Sequence, residues 1–351
     1  MTVNVRGKVL PLLAASALAL GVAACGGSDP DGNAGTSDLS GELTASGASF
    51  PDAYYQVAIE AYAEVAPEVV INYNATGSST GKKEFGENLV DFAGTDSLVG
   101  EDDPLEPGSF YYIPTVAAPI TISYNLPEAP DLQLGQEVVA QIFQGDITTW
   151  DDPAIAETNP DVELPATAIT IAHRSDGSGT TSNFTTFLDE ATESWNLGSG
   201  DVVEWPTGSQ GAEKNTGVAQ VIQQTEGAIG YVDLADAEGS GLVFAAVENL
   251  DGEFVLPTIA GTTAGLDGAE INEDLSYNPL NAAGAEAYPI TAPTYLIVKA
   301  SYDDPQVAEL VKGFVTWLLT DGQDLAEAEL FAPLPASLQE QALAQLDKIE
   351  S

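Results

Sequence analysis

The chain has 351 residues, and nine Lys and Arg side chains against 54 Asp and Glu give it a formal net charge of −45 at pH 7. This excess of negative charge argues against nucleic acid and anionic lipid surfaces as partners, because both repel it. Hydrophobic residues form 44% of the sequence, and a chain longer than about 250 to 300 residues usually divides its core, so we expect two lobes.

The N-terminus has the pattern of a secretory signal. Arg6 and Lys8 precede an apolar run over 9–21 that is short for a membrane span, and small residues lead to Cys25. The sequence VAAC at 22–25 resembles the bacterial lipobox, whose cysteine becomes the lipid-modified first residue of the mature chain. The alternative is a chance cysteine after an ordinary signal peptide. With only one cysteine, no intramolecular disulfide can form.

These features predict two segments before the folded part of the chain. Residues 1–24 are expected to be a lipoprotein signal peptide. Residues 25–41 are rich in Gly, Ser, Asp and Asn, a composition typical of a flexible linker.

The first part of the folded chain is predicted to alternate strands and helices. A strand over 43–46 leads through GASFP into a helix over 52–65, and a strand over 69–73 leads through a turn rich in glycine and hydroxyl groups into a second helix. A third strand, over 89–94, ends just before Asp96. The first N–H groups of a helix are unpaired and lie at the positive end of its dipole, so both helix entrances suit an anion.

The segment GSSTGKK at 77–83 has some features of a nucleotide-binding P-loop, but its spacing does not match. Gly77 and Gly81 are separated by three residues instead of four, and Lys83 stands where Ser or Thr should bind Mg²⁺. A simpler anion site at a helix N-terminus, with Ser78 as a donor, fits the residues.

Asp96 follows a strand beside these anion-seeking turns, where a second negative charge is unfavourable. Its position makes sense if the ligand carries a proton, because an ionised carboxylate accepts hydrogen bonds only and needs a donor opposite it. The alternative role is a helix N-cap, and both roles can hold together.

Two apolar extended runs, over 111–125 and 288–298, suit crossings between lobes. They predict a first lobe formed by residues 42–118 and 290–351 and a second lobe formed by residues 119–289, joined by a hinge. Strands and helices of this length, in alternation, predict α/β lobes with helices on both sheet faces.

The remaining predicted elements follow in chain order. They are a helix over 135–143, a structural Trp150, a strand and glycine loop over 202–213, a helix ending at Gln223, a strand over 228–234, and an amphipathic helix that contains 314–319.

The stretch RSDGSGTTSNF at 174–184 lies between a predicted strand over 168–172 and a predicted helix. Its turn places helix N–H groups and several hydroxyls around one point, and Arg174 can grip an oxyanion there with a planar fork of five donors. Asp176 can hold that fork in place. The alternative is an ordinary glycine loop with a surface ion pair. His173, one position before Arg174 in the strand, should point away from it and be structural.

Six motifs, in this order along the chain, resemble the PstS family, the phosphate-binding lipoproteins of bacterial phosphate ABC importers. The motifs are GASFP at 47–51, NATGSSTGKKEF at 74–85, VDFAGTDS at 90–97, GDITTWDDP at 145–153, RSDGSGTTSNFT at 174–185 and GAIGYVDLA at 227–235.

The resemblance implies a type II, Venus-flytrap periplasmic-binding-protein fold with two hinge crossings and one dehydrated phosphate between the lobes. It implies phosphate-binding roles for Ser49, Phe50 through its backbone, Ser78, Asp96, Arg174, Ser178, Gly179 and Thr180. Asp96 would accept the proton of the ligand, and Asp176 would orient Arg174. Ser49 stands where threonine is also common, which keeps the hydroxyl. Thr95 is less typical before the aspartate, so the resemblance does not fix the geometry of the backbone N–H donors there.

The resemblance also implies partners and a location. We expect inorganic phosphate as the ligand, arsenate as an ion of the same shape, and the permease and ATPase subunits of an ABC importer as protein partners. We expect a monomer that contacts the membrane only through a lipid on Cys25, on the outer face of the cytoplasmic membrane, or in the periplasm where the cell has two membranes. No nucleic acid, cofactor or metal is expected.

Two other function classes stay open. A phosphatase-like enzyme would need a base paired with a serine or a metal cluster, and the sequence has one histidine and no cluster with metal-ligand spacing. A phosphate-binding surface receptor without transport would carry the same site.

The replacement Cys25→Ala tests the lipid anchor. It should release the protein into the medium or the soluble envelope fraction, because alanine cannot carry the lipid. One acyl chain alone anchors only marginally, so we expect at least two acyl groups on Cys25. Fractionation followed by immunoblotting measures the release. Retention of the Ala variant in the membrane fraction would contradict the prediction.

Overall fold

The computed structural model describes residues 39–351. The predictions for the signal peptide over 1–24, for Cys25 and for the linker up to residue 38 fall outside the described residues. Within residues 39–351, no helix combines the length and the apolar character needed to cross a membrane.

The described chain alternates strands and helices, which confirms the predicted α/β class. The strands are β1 (Gly41–Gly47), β2 (Val69–Ala75), β3 (Phe92–Thr95), β4 (Phe110–Tyr124), β5 (Gln133–Leu134), β6 (Thr170–Arg174), β7 (Gln210–Ala212), β8 (Ala228–Asp233), β9 (Val243–Phe244), β10 (Ala246–Glu248), β11 (Phe254–Val255), β12 (Thr291–Lys299) and β13 (Ala332–Pro333). The α-helices are α1 (Asp52–Val65), α2 (Ser78–Gly86), α3 (Gln136–Phe143), α4 (Pro153–Thr158), α5 (Gly179–Ala191), α6 (Lys214–Gln224), α7 (Leu234–Gly239), α8 (Ile259–Leu266), α9 (Pro305–Leu319) and α10 (Ala336–Leu346).

The main sheet has the strand order β2-β1-β3-β12-β4-β8-β6-β7. On one side β1 pairs in parallel with β2 and β3, and on the other β6 pairs in parallel with β7 and β8. The antiparallel strands β12 and β4 lie between these two groups. Each parallel group forms the sheet of one lobe, and the fold is the predicted two-lobe α/β architecture.

Strand β4 belongs to both lobes. Residues 110–119 pair with β12, and residues 120–124 pair with β8. The change of partner between Pro119 and Ile120 supports the predicted first crossing, and β12 supplies the second extended run. The proposed lobe boundaries are 118/119 and 289/290, and we use first lobe and second lobe for the two parts. Helix α8, although it lies between the crossings in sequence, packs on β4, β12 and β13.

Most element predictions are confirmed within a few residues, and the errors have physical causes. The strand expected at the start of 202–213 is wrong, because this segment is irregular up to β7 and the Val202 side chain is 73% exposed. Strand β3 begins at Phe92 instead of residue 89, since Leu89 lies in the turn after α2 and is exposed. Trp150 is fully buried and donates from Nε1 to the carbonyl of Gly227 at 3.0 Å, as its predicted structural role requires.

Glycine allows α2 to begin directly against the end of β1. A Cβ atom on Gly81 would lie 2.4 Å from the Cα of Gly47 and 3.2 Å from the carbonyl oxygen of Gly94. Any side chain here would push the helix away from the ends of β1 and β3. The two glycine-rich motifs of the first lobe therefore meet, and they bring the start of α2 beside Asp96.

Candidate anion-binding site

The first lobe contributes Ser49, Phe50 and Ser78 at the entrances of two helices. Ser49 and Phe50 precede α1 and are buried, and Phe50 packs edge-on against Phe331 with ring centroids 5.8 Å apart. Among the described residues, the Ser49 hydroxyl is buried without a hydrogen-bond partner. Ser78 is the first residue of α2 and is 1% exposed. The Ser49 hydroxyl is therefore free to donate towards a ligand, whereas the Ser78 hydroxyl lies within hydrogen-bond distance of Asp96.

Asp96 lies directly beside Ser78. The backbone N–H of Asp96 donates to Ser78 Oγ at 3.2 Å, and the Asp96 carboxylate oxygen Oδ2 lies 3.4 Å from the same hydroxyl. Its other oxygen, Oδ1, accepts from Thr294 Oγ1 at 2.7 Å, and its carbonyl accepts from Asn183 Nδ2 at 2.6 Å. No helix follows Asp96, so the N-cap alternative is wrong for this residue.

Burial controls the protonation of Asp96. Loss of water around the carboxyl raises its pKa to about 7, although the Thr294 hydrogen bond and the Arg174 charge act in the opposite direction. At neutral pH the group is therefore close to the midpoint between its acid and its carboxylate. The sequence predicted a carboxylate acceptor at this position. Burial in the structure makes the charge of the Asp96 carboxyl depend on pH in the physiological range.

The second lobe contributes Arg174, whose guanidinium is held rigidly. Its Nε and NH2 donate to the two carboxylate oxygens of Asp176 at 2.7 and 2.5 Å, and its NH1 donates to Asn215 Oδ1 at 2.8 Å. The side chains of Arg174 and Asp176 are 1% and 17% exposed, so the surface ion pair considered as an alternative is wrong. Burial raises the pKa of Asp176, but the Arg174 hydrogen bonds and charge outweigh it and leave that pKa lowered.

The turn after Arg174 forms the entrance of α5. Ser178 is the N-cap of this helix, and its hydroxyl accepts from the Thr181 N–H at 3.2 Å. Gly179 and Thr180 follow in the first turn, whose N–H groups have no partners within the helix. Thr180 Oγ1 accepts from Asn215 Nδ2 at 3.2 Å and lies 3.5 Å from Arg174 NH1. The positive ends of α2 and α5, together with Arg174, therefore favour negative charge.

The entrance of α5 touches the first-lobe site. A Cβ atom on Gly179 would lie 2.6 Å from Ser78 Oγ and 2.7 Å from the Cβ of Asp96. Only glycine fits here, because this part of the helix lies against residues of the other lobe. The structure thus brings most of the predicted positions into one cluster across the lobes: Ser78, Asp96, Arg174, Asp176, Ser178, Gly179 and Thr180.

Ser49 and Phe50 border this cluster on the side of an adjacent cavity. The cavity has a volume of about 190 Å³ and is lined by these two residues, by Asp52, and by Lys214 and Asp236 of the second lobe, among others. Among the described residues, no hydrogen bond joins Ser49 to Arg174 or to the α5 turn.

Four residues that support the site escaped the sequence analysis: Asn183, Asn215, Tyr231 and Thr294. Asn215 and Tyr231 hold the side chain and the backbone N–H of Arg174, respectively. Thr294 is a polar residue in the apolar run of the second crossing. Its polarity there could have indicated a role in the site, where it donates to Asp96. Asn183 belongs to the RSDGSGTTSNF motif without an assigned role. Asn215 had no local signal, because it approaches Arg174 only through the packing of α6 on β6.

His173 has the structural role predicted for it. Its Nδ1 lies 2.8 Å from the carbonyl oxygen of Arg174, and its ring stacks on Trp205 with centroids 5.3 Å apart. Burial lowers the pKa of the imidazole. Among residues 39–351, no group of three or more His, Cys, Asp and Glu side chains is arranged to hold a metal ion.

The comparisons with known proteins agree with this geometry. A sequence model described as the PBP superfamily domain matches residues 32–322. The phosphate-binding protein PstS of Methanocaldococcus jannaschii is 34% identical, with 90% of this chain and 89% of that protein covered. The phosphate-binding protein PstS of Haemophilus influenzae is 33% identical, with 84% of this chain and 90% of that protein covered.

A crystal structure of a phosphate-binding protein from Stenotrophomonas maltophilia superimposes with a TM-score of 0.65. The two chains share 23% identity over 87% of this chain and 94% of that one. At this identity the similarity establishes the shared fold.

The pKa of Asp96 predicts how stability depends on pH. Its value of about 7 lies above the ordinary 3.8, so the folded state binds a proton more tightly than the unfolded state, and the stabilisation from this proton is lost as pH rises from about 4 to 7. The free energy of unfolding of the parent, minus that of Asp96→Asn, should therefore fall across this range and level off above it.

Urea unfolding in phosphate-free buffer at several pH values measures this difference. Subtraction removes the other titrating groups, because they are common to both proteins. A difference that stays constant between pH 4 and 8 would show that burial does not raise the pKa of Asp96.

Proposed function

Since this chain belongs to the PstS family of phosphate-binding proteins, within the PBP superfamily, we propose that it captures inorganic phosphate between its two lobes and delivers it to an ABC importer. The family assignment rests on the matches to residues 32–322 and to relatives of about one-third identity over most of the chain. Both of these relatives are named as phosphate-binding proteins.

One observation carries the proposal, the placement of a buried carboxyl among anion-binding groups. Asp96 shares its surroundings with Ser78 and with the entrance of α5, while the charge of Arg174 acts on it. A fully deprotonated oxyanion would be repelled by the carboxylate, whereas a hydrogen phosphate ion offers it a proton. The same site therefore provides donors for the oxygens and one acceptor for a hydroxyl.

The donors are sufficient for tight binding. A hydrogen bond to a charged group contributes about 1.5 to 3 kcal/mol, and micromolar affinity requires about 8 kcal/mol in total. We propose that Ser49, the Phe50 backbone, Ser78, Ser178, Gly179 and Thr180 donate to the ligand together with Arg174, which Asp176 orients. The chain's charge of −45 does not prevent binding, because charges more than about 8 Å away are largely screened at physiological salt.

The location and partners follow from the same proposal. An acylated Cys25 would tether the mature protein outside the cytoplasmic membrane. There the monomer would contact the permease of its importer, and through the permease it would be coupled to the ATPase subunits. Arsenate would enter the same site, since it has the same shape and protonation pattern. A phosphatase-like activity finds no support in the described contacts, because His173 bonds to a backbone carbonyl and not to a serine.

Isothermal titration calorimetry of the purified protein with phosphate, sulfate and nitrate tests the proposed ligand. Above pH 7, where Asp96 is mainly a carboxylate, phosphate should bind with micromolar or tighter affinity at one site per chain. Sulfate and nitrate should give no measurable heat under these conditions, because neither carries a proton for that carboxylate. Absence of phosphate binding, or equal binding of sulfate, would contradict the proposal.

The replacement Asp96→Asn tests how phosphate is selected. A site built around a required hydrogen bond rejects an analogue that lacks it by about 10⁴ to 10⁵. An amide can turn its NH₂ towards sulfate, so the Asn variant should bind sulfate measurably while its phosphate affinity changes little. Sulfate binding to the parent should also strengthen as pH falls from above 7 through about 7, because Asp96 becomes protonated across this range and can donate.

A matched control is Asp189→Asn, which removes one negative charge from an exposed position on α5. Competition of sulfate against phosphate in all three proteins gives the selectivity directly. If the Asp96→Asn variant rejects sulfate as completely as the parent, selection depends on other groups of the site.

A further inference from the structure

Asp201 occupies a defined position beside the proposed phosphate site without belonging to it. It lies between α5 and β7, in the second lobe, and its backbone carbonyl accepts from the N–H of Ser178 at 3.0 Å. This bond ties its segment to the N-cap of α5. The side chain is 15% exposed and points towards the first lobe.

The carboxylate of Asp201 bonds to two side chains of α2. Its Oδ2 accepts from Ser79 Oγ at 2.7 Å and lies 3.1 Å from Lys82 Nζ. Residues three apart lie on the same face of a helix, so Ser79 and Lys82 present two donors to one oxygen. These are direct side-chain bonds between the second lobe and the first.

Lys82 is held in place by its own lobe. Its ammonium group lies 2.9 Å from Asp103 Oδ2 and donates to Ser97 Oγ at 3.2 Å and to the carbonyl of Leu98 at 3.1 Å. Its side chain is 4% exposed, and such burial of an ammonium group requires this many partners. All three partners move with the first lobe, so the donor is already oriented before the lobes meet. Little side-chain entropy remains to be lost when Asp201 arrives.

The distribution of charge makes this contact unusual for the chain. Nine basic residues face 54 acidic ones, and within residues 39–351 two of the three ion pairs involve Lys82, while the third is Arg174 with Asp176. The second lobe brings its own negative charge, Asp201, to the buried cation of the first lobe. The attraction acts only when the lobes are together, and it opposes the general repulsion between two acidic lobes.

We propose that Asp201 is a latch that holds the lobes closed over the bound ion and sets how fast the ion leaves. The inference rests on the proposed function, and it assigns a role to residues that, in the described part of the chain, form no hydrogen bond or ion pair with Arg174 or Asp96, although the charge of Asp201 helps to raise the pKa of Asp96. The latch forms after the ligand has entered, so its loss should change dissociation and leave association unaffected.

The test replaces Asp201 by Ala in the full chain. Stopped-flow fluorescence with inorganic phosphate should show dissociation about tenfold faster than in the parent, with an unchanged association rate, because the bonds from Ser79 and Lys82 to Asp201 are lost. A tenfold change corresponds to about 1.4 kcal/mol of lost interaction. Asp201→Asn is the milder variant, which keeps an acceptor for Ser79 and loses the charge opposite Lys82. It should show a smaller acceleration. Asp189→Ala, which removes an exposed charge of the same lobe, should behave as the parent.

A double-mutant cycle with Ser79→Ala separates a latch from general destabilisation. If the two side chains act through their shared bond, the double variant should dissociate less rapidly than the product of the two single effects predicts. Additive effects would overturn the latch. Equal dissociation rates in the parent and in both Asp201 variants would also overturn it, as would a loss confined to the association rate. Failure of the parent to bind phosphate would refute the proposed function itself, which the same measurement reveals first.

Discussion

The burial of the Arg174 guanidinium is the constraint on which the rest of the site depends. A cation removed from water is costly unless its donors find partners, and Asp176 and Asn215 accept three hydrogen bonds from this guanidinium. Asn215 is fixed in turn by Asp233, whose Oδ2 accepts from its amide at 2.7 Å. The strand end of β6, the first turn of α6 and the strand end of β8 are therefore locked together around one charge, and the α5 entrance lies beside them.

The two lobes solve opposite electrostatic problems. The second lobe must keep a cation buried and oriented, which it does with a carboxylate and an amide. The first lobe keeps a carboxyl buried at Asp96, which raises the pKa of that group to about 7 and leaves Thr294 and Ser78 to stabilise its charged form. A ligand that offers negative oxygens to the second lobe and a proton to the first satisfies both. Under the proposed function, the site would discriminate by protonation state as much as by charge.

Most of this architecture could be predicted from local patterns in the sequence. Strand, glycine turn and helix recur at GASFP, at NATGSSTG and at RSDGSG, so the helix entrances and their hydroxyls could be predicted from periodicity and turn residues. What could not be predicted depends on contacts between distant segments. The bond from Thr294 to Asp96 joins residues 198 apart, and the bond from Asn215 to Arg174 joins residues 41 apart. The raised pKa of Asp96 depends on burial, which only the packed fold supplies. The assignments of the binding residues themselves remain predictions that the proposed titrations test.

Strand β4 has a consequence for how the protein unfolds. Its 15 residues pair with β12 in their first part and with β8 in their second, so each sheet includes part of the same continuous, buried strand. Unfolding of either lobe's sheet would remove β4 from the sheet of the other lobe as well. The free energy of unfolding one lobe is therefore coupled to that of the other. We therefore expect the two proposed lobes to unfold as a single cooperative unit, unlike domains joined by an independent linker.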